Sequence, residues 1–185
     1  MTEFDKALDL LTETLLLERE NVSKGCAMIF FKPSVLKQLQ DKIEEDDLYI
    51  KDGDFGLETE PHVTLLYGFI NDPDPKDIIN HIEEYDIPEH LSLDGISLFE
   101  NEYDVLKIDM KKEGFLTDVN KSLRKDFEYE NDYDDFHPHC TIAYIKKGKG
   151  KKYVDMFKDF EQSDFEVEKI VYSDADMKKT TSFGL

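Results

Sequence analysis

A chain of 185 residues with 43 acidic against 23 basic side chains carries a formal charge of −20; it disfavours long polyanionic partners, because nucleic-acid affinity comes largely from Lys and Arg neutralising phosphates. A short nucleotide is admissible as a ligand, whereas a long nucleic acid is not expected. Hydrophobic content of 39%, with thirteen Phe, nine Tyr and no Trp, suits one domain with a real interior; no run approaches the roughly 18 apolar residues of a membrane span, and the acidic N-terminus lacks the basic region of a secretory leader.

Residues 2–19 predict an amphipathic helix, with Phe4, Ala7, Leu8, Leu11 and Leu15 at helical spacing and Thr2 as its N-cap. Leu16 and Leu17 widen the apolar face, so segment 1–22 must dock on the body or mediate self-association. A single domain is expected over 23–185. Cys26–Phe31 reads as a buried strand, and Pro33 and Ser34 open a helix reaching about Glu45. An acidic loop over 46–60 leads into a strand at Pro61–Phe69. Pro73 and Pro75 start a second helix to about Tyr85, followed by strands at Leu91–Phe99 and Tyr103–Met110. Gly114 precedes a helix to about Phe127, and a strand at His137–Ile145 follows the acidic 128–135 loop. A helix at 153–160 and a strand at 164–173 complete the pattern, and the tail from Asp174 has no clear period. Cys26 and Cys140 sit inside apolar strands, which reads as reduced, buried thiols in a cytoplasmic protein.

One phrase occurs twice: Pro61-His62-Val63-Thr64-Leu65-Leu66-Tyr67 and Pro138-His139-Cys140-Thr141-Ile142-Ala143-Tyr144. The histidines lie 77 positions apart, and that offset carries Phe30 onto Lys107, Ile78 onto Asp155, and Leu91–Phe99 onto Glu168–Asp176. Strand maps onto strand and helix onto helix. Two similar units, about 26–99 and 103–176, therefore each read strand–helix–motif strand–helix–strand, and pseudo-two-fold symmetry is expected. Residues two apart on a strand share a face. His62 and Thr64 would thus line one wall of a shared cleft, and His139 and Thr141 the other. In regular strands Tyr67 and Tyr144 would fall on the opposite face and pack.

Breaking a phosphodiester without a metal needs a base for the attacking oxygen and an acid for the leaving one. Histidine serves both, because its pKa lies near neutrality. Threonine hydroxyls suit the non-bridging oxygens, whose charge is redistributed in the transition state. A metal reading of the same region would use His137, His139, Asp134, Asp135 and His62. It leaves the paired threonines unexplained, and Glu60 stands where the other copy has His137; no metal and no other cofactor is expected.

Paired His-x-Thr motifs in a duplicated α/β chain resemble the 2H phosphoesterase superfamily, the RNA-ligase-like and cyclic nucleotide phosphodiesterases. The resemblance covers roughly 26–176. It implies an α/β (α+β) bilobal fold, with two antiparallel sheets flanking a central cleft. It also implies metal-independent catalysis on 2′,3′-cyclic phosphates, 2′–5′ linkages or related phosphodiesters, carried by His62, Thr64, His139 and Thr141. Within the superfamily, the stretch from Tyr133 to Tyr144 is similar to the second motif of phage anti-CBASS nucleases, which cut cyclic oligonucleotide messengers in the host cytoplasm. That similarity implies base stacking for Phe99, where the group has Trp.

Further candidates for substrate binding are His137 beside the second motif, and Lys146 and Lys147 at the head of the Lys146–Lys152 loop, the one concentrated positive patch. At about 3.3 Å per strand residue, that loop starts more than ~20 Å from His139 and must fold back to assist. The alternative to an enzyme is a nucleotide sensor that keeps the cleft and only binds. Intact His and Thr at all four positions favour the enzyme.

Overall fold

The computed structural model describes residues 24–51, 54–112, 114–131, 135–160 and 165–182; the helix expected over 2–19 lies outside them. In chain order, β1 (Gly25–Phe31) leads to α1 (Ser34–Gln40), a 3-10 turn at Glu45–Asp47, a short ribbon of β2 (Ile50–Lys51) and β3 (Asp54–Phe55), and the first motif strand β4 (His62–Phe69). α2 (Pro75–Glu83), β5 (His90–Leu91) and β6 (Leu93–Glu100) complete the first unit. The second runs β7 (Asp104–Met110), α3 (Phe115–Asp126), β8 (His139–Ile145), α4 (Lys151–Phe157) and β9 (Phe165–Ser173). The tail, without a readable period, adds β10 (Lys179–Ser182).

Local sequence explains most of these elements. Asp74 caps α2 by accepting from Lys76 N at 2.9 Å, Pro75 occupies the first turn, and Ile78, Ile79 and Ile82 form its buried stripe. Leu116, Val119 and Leu123 do the same for α3. α1 stops at Gln40, short of the expected Glu45, after Val35, Leu36 and Leu39 have filled its buried face; the acids beyond it form the 3-10 turn instead.

The chain folds as two antiparallel sheets. One has the order β10-β9-β1-β4, with β5 also on β9, and the other is β6-β7-β8. The α+β fold with two antiparallel sheets is therefore as the sequence implies. The two sequence units, however, are not the two lobes. Each unit gives its first two strands to one sheet and its third strand to the other: β6 joins β7 and β8, and β9 joins β1 and β4. The helices exchange too. α2 and α3 pack on the sheet holding β4, and α1 and α4 on the sheet holding β8. The exchange leaves one continuous apolar interior from Ala27 and Ile29 through Leu106, Ile108 and Ile142.

Connecting segments stitch the same seam. Leu48 and Leu57, which precede β4, bridge to Ile145 and Ala143 on β8, while Tyr129, which precedes β8, bridges to Phe69 on β4. Gly68 permits the second crossing: its φ is +101° and an added Cβ would stand 2.4 Å from Glu130 O.

Both motif strands contain a bulge. On β4 the register passes from Met28↔Thr64 to Ala27↔Leu66, and on β8 from Lys107↔Thr141 to Leu106↔Ala143. One extra residue is thereby inserted between Thr and Tyr on each strand. This is why two apolar residues stand together there. Leu65 and Leu66 are both buried, as are Ile142 and Ala143. The insertion also shifts the alternation, so Tyr67 pairs with Cys26 and Tyr144 with Val105. Both tyrosines therefore return to the face of the His and Thr, where regular strands would have turned them away.

Candidate active site

β4 and β8 are the edge strands that meet at the seam, and each presents its His-x-Thr pair on the exposed side. His62, Thr64, His139 and Thr141 are all partly exposed, whereas Val63 and Cys140 between them are fully buried. The two imidazoles are close enough for His62 to act on the charge of His139. Cys140 lies against the backbone of His62, and burial pushes its thiol far above the ordinary range. It is a core group, as its strand position predicts.

Each catalytic candidate is held in the same way. His62 Nδ1–H donates to the Glu60 carbonyl at 2.7 Å, and His139 Nδ1–H donates to the His137 carbonyl at 2.8 Å. A carbonyl can only accept, so Nδ1 carries the hydrogen and Nε2 is the proton-exchanging atom. Two residues upstream in both copies, a backbone oxygen thus sets the tautomer and aims the ring. His137 acts here through its backbone. Its own ring is exposed, 4.0 Å from an Asp135 carboxylate oxygen, and held below the ordinary histidine value by desolvation and Lys112.

Register defines the two walls. Beside β4 run Phe30 opposite His62 and Met28 opposite Thr64, then Lys169 and Val171 on β9. Beside β8 run Asp109 opposite His139 and Lys107 opposite Thr141, then Gly95 and Ser97 on β6. Phe30 therefore corresponds to Asp109, two residues beyond the Lys107 that the constant offset assigns. The even shift keeps the faces matched.

Each histidine also packs against a phenylalanine that carries a lysine. His62 stacks on Phe30 with centroids 5.3 Å apart, and Lys169 and Lys179 lie over the Phe30 ring at 5.3 and 5.6 Å. His139 meets Phe99 edge-on at 4.9 Å, and Lys107 lies 4.3 Å from the Phe99 centroid. Phe99 is 6% exposed and also packs with Tyr103, Val105 and Tyr144.

Lys107 is the residue that sequence reasoning missed. Only 5% exposed, it donates to Ser97 Oγ at 2.7 Å and pairs with Asp109 Oδ1. Its signal was present as the one basic residue of β7, two residues before Asp109, but solvent-facing alternation reads the same way. His139 feels this neighbourhood. Desolvation lowers it to about 4, Lys107 and His62 push in the same direction, and the His137 carbonyl and Asp109 oppose them.

Lys146 and Lys147 are not brought to the histidines. They follow the far end of β8, where Lys146 Nζ donates to the Asp46 carbonyl at 2.6 Å and both side chains are exposed. The lysine loop serves the 3-10 turn. Asp47, 5% exposed, accepts from Tyr153 Oη at 2.8 Å and pairs with Lys149 at 3.7 Å and with Lys152, which hold its carboxyl below the usual range. Among the described residues no group of three His, Cys, Asp or Glu side chains is spaced to hold a metal ion, and no helix is long and apolar enough to cross a membrane.

Comparison with known proteins places this geometry. No curated protein matches the chain. Two solved structures of Kluyveromyces marxianus Usb1, one of them with uridine monophosphate, are similar in fold, with TM-scores of 0.54 and 0.52 at 12% identity. Each alignment covers 85% of this chain and 96% of the Usb1 chain. The sequence itself matches the 2′-5′ RNA ligase superfamily over residues 32–176. With both motif strands inside that match and the two-sheet cleft around them, the chain belongs to the 2′-5′ RNA ligase superfamily of 2H phosphoesterases.

Proposed function

We propose that the protein is a metal-independent phosphodiesterase acting on a small nucleotide, with cyclic oligonucleotide messengers, 2′,3′-cyclic nucleotides and 2′–5′ oligonucleotides as the substrate classes to separate. The observation that carries this reading is the symmetric setting of the two imidazoles. Each Nδ1–H is tied to the carbonyl two residues upstream, and each ring stands beside a threonine of its own strand.

For a 3′–5′ linkage next to a 2′-hydroxyl, one histidine Nε2 takes the hydroxyl proton while the 2′-oxygen forms its bond to phosphorus. The bond to the 5′-oxygen breaks, and that oxygen takes a proton from Nε2 of the other, protonated histidine. The products are a 2′,3′-cyclic phosphate and a free 5′-hydroxyl. Water opens the cyclic ester with the proton roles reversed. Thr64 and Thr141 donate to the non-bridging oxygens throughout. The wall lysines supply local positive potential in a chain of net charge −20, which favours a small anion over a long one. The nucleotide held by one of the Usb1 structures supports a nucleotide substrate.

The test is turnover of 2′,3′-cyclic nucleotides, 2′–5′ oligoadenylate and 3′–5′ cyclic di- and trinucleotides by the wild-type chain. His62→Ala and His139→Ala are each expected to lose about 10²–10⁴-fold in kcat/KM. Activity that survives either change, or that EDTA abolishes and a divalent metal restores, overturns the reading. A thermal shift without turnover identifies a sensor instead.

A further inference from the structure

The wall beside β8 contains a feature that the phosphodiesterase reading gives no part in proton transfer: a buried lysine one same-face strand position from the reacting imidazole. Lys107 stands opposite Thr141, lies over the Phe99 ring that also touches His139, and is fixed by Asp109 and Ser97. The corresponding position on the other wall is Met28, 8% exposed and packed with Phe30 and Val171. Lysines reach the other wall only at Phe30, from Lys169 and Lys179; beside the threonine, a buried lysine stands on the β8 wall alone.

We infer that Lys107 is a positioning residue that gates His139, its charge keeping the imidazole unprotonated until an anionic phosphate enters beside Thr141 and offsets that charge. The inference rests on the phosphodiester reading for the identity of the ligand. It adds a coupling between phosphate binding and proton uptake at one named ring.

Among the described residues, the charged and titratable groups that act most on His139 come from two strands. Lys107 and Asp109 come from β7 and His62 from β4 across the cleft; the His137 carbonyl takes the Nδ1 hydrogen, and β6 contributes the uncharged Phe99 ring. Desolvation opposes the imidazolium most, with Lys107 and His62 adding to it, and the carbonyl and Asp109 favour it, leaving His139 neutral well below neutrality. A base that weak accepts protons poorly at pH 7. An added phosphate charge near Lys107 and Nε2 favours the imidazolium. It therefore strengthens the base at the moment the substrate is present.

Histidine ring signals measured by NMR in the full chain provide the test, with inorganic phosphate as the probe. In wild type His139 stays neutral at pH 5.5 and above, and saturating phosphate moves its titration upward by a unit or more. Lys107→Met brings that titration between pH 5 and 7 before phosphate is added, and phosphate then moves it less. Lys107→Arg behaves as wild type. Asp109→Asn breaks the same ion pair yet retains the positive charge, so His139 must stay neutral there at pH 5.5; a merely structural role for the pair would move both variants alike. The inference is overturned if His139 in Lys107→Met titrates as in wild type, if Asp109→Asn raises it equally, or if phosphate leaves the wild-type ring unmoved. These outcomes are independent of turnover. Shifts as expected, with no cleavage of any nucleotide, would retire the phosphodiesterase reading while upholding charge control by Lys107.

Discussion

The two walls of the cleft share a backbone plan and differ in what fills it. Both place a histidine at the first position, a threonine at the second and, past a bulge, a tyrosine at the third. Each histidine ring touches a phenylalanine with lysine over it, Phe30 from the row of His62 and Phe99 from the row of Tyr144. At the second position they part: Thr64 has Met28 and Val171 beside it, whereas Thr141 has Lys107 and Ser97. The geometry that holds each imidazole is the same on both sides. A buried lysine stands beside only one of the two threonines, the arrangement expected where two similar groups must do different work on one phosphate.

The sharpest way to break this comparison is to remove the hydroxyls one at a time. Loss of a single donor to a developing oxyanion costs up to about 10²–10³-fold in kcat. Thr64→Val is expected to approach that range, because Met28 and Val171 offer no substitute donor. Thr141→Val keeps Lys107 in its row and should lose about tenfold less. Steady-state kinetics on the nucleotide that wild type turns over decides it. Equal losses would mean that the charge beside Thr141 has no part in holding the phosphate.

A second asymmetry lies behind the walls, in how each bulge carbonyl is satisfied. Asn120 Nδ2 on α3 donates to Leu65 O at 2.6 Å, and Gln40 Nε2 on α1 donates to Ile142 O at 3.0 Å. Ile142 O also accepts from Glu58 N at 3.0 Å, and Gln40 reaches the Glu58 carbonyl at 2.7 Å. Asn120 is 4% exposed. Asn120→Ala, leaving a buried acceptor without that donor, is expected to cost about 1–3 kcal/mol in urea unfolding. Gln40→Ala should cost less than about 1 kcal/mol, since a backbone donor remains. A reversed order would show that the bulge on β8 depends on its helix as much as the bulge on β4.

How far the sequence foretold this molecule follows from what each signal measures. The repeated His-x-Thr phrase and the strand–helix order are local, and both survive in the fold. The tyrosines were turned the wrong way because a period-two reading cannot register one inserted residue, although the doubled apolar pair in each motif was its trace. A constant offset located the histidines but not Phe30 against Asp109, since insertions between units change spacing without changing faces. The exchange of β6 and β9 between sheets is a tertiary choice, invisible to any periodicity. The lysine loop could be read as a phosphate lid because its partners, the Asp46 carbonyl for Lys146 and the Glu44 and Asp47 carboxylates for Lys149 and Lys152, lie about a hundred residues away in sequence. Lys107 was hidden for the opposite reason: a charged residue on an alternating strand normally faces water, and here it faces the cleft floor.

The smallest effect isolates the charged wall without any substrate. His139 takes up its proton at about 4 in the folded chain, against an ordinary histidine value of 6.5. Between those values the unfolded chain binds more protons than the folded one, so stability must fall as pH drops from 6.5 toward 4. The contribution is complete above 6.5. From pH 7 to 5.5 this linkage predicts a loss of about 1 kcal/mol from His139 alone. Urea unfolding at the two pH values should show it as a difference in slope: His139→Gln, with no proton to gain, should lose about that much less than wild type. Lys107→Met should also flatten the wild-type dependence, because a ring that protonates more readily when folded no longer favours unfolding. If Lys107→Met left the dependence as steep as in wild type, desolvation alone would hold His139 neutral, and the two walls would differ in composition but not in protonation.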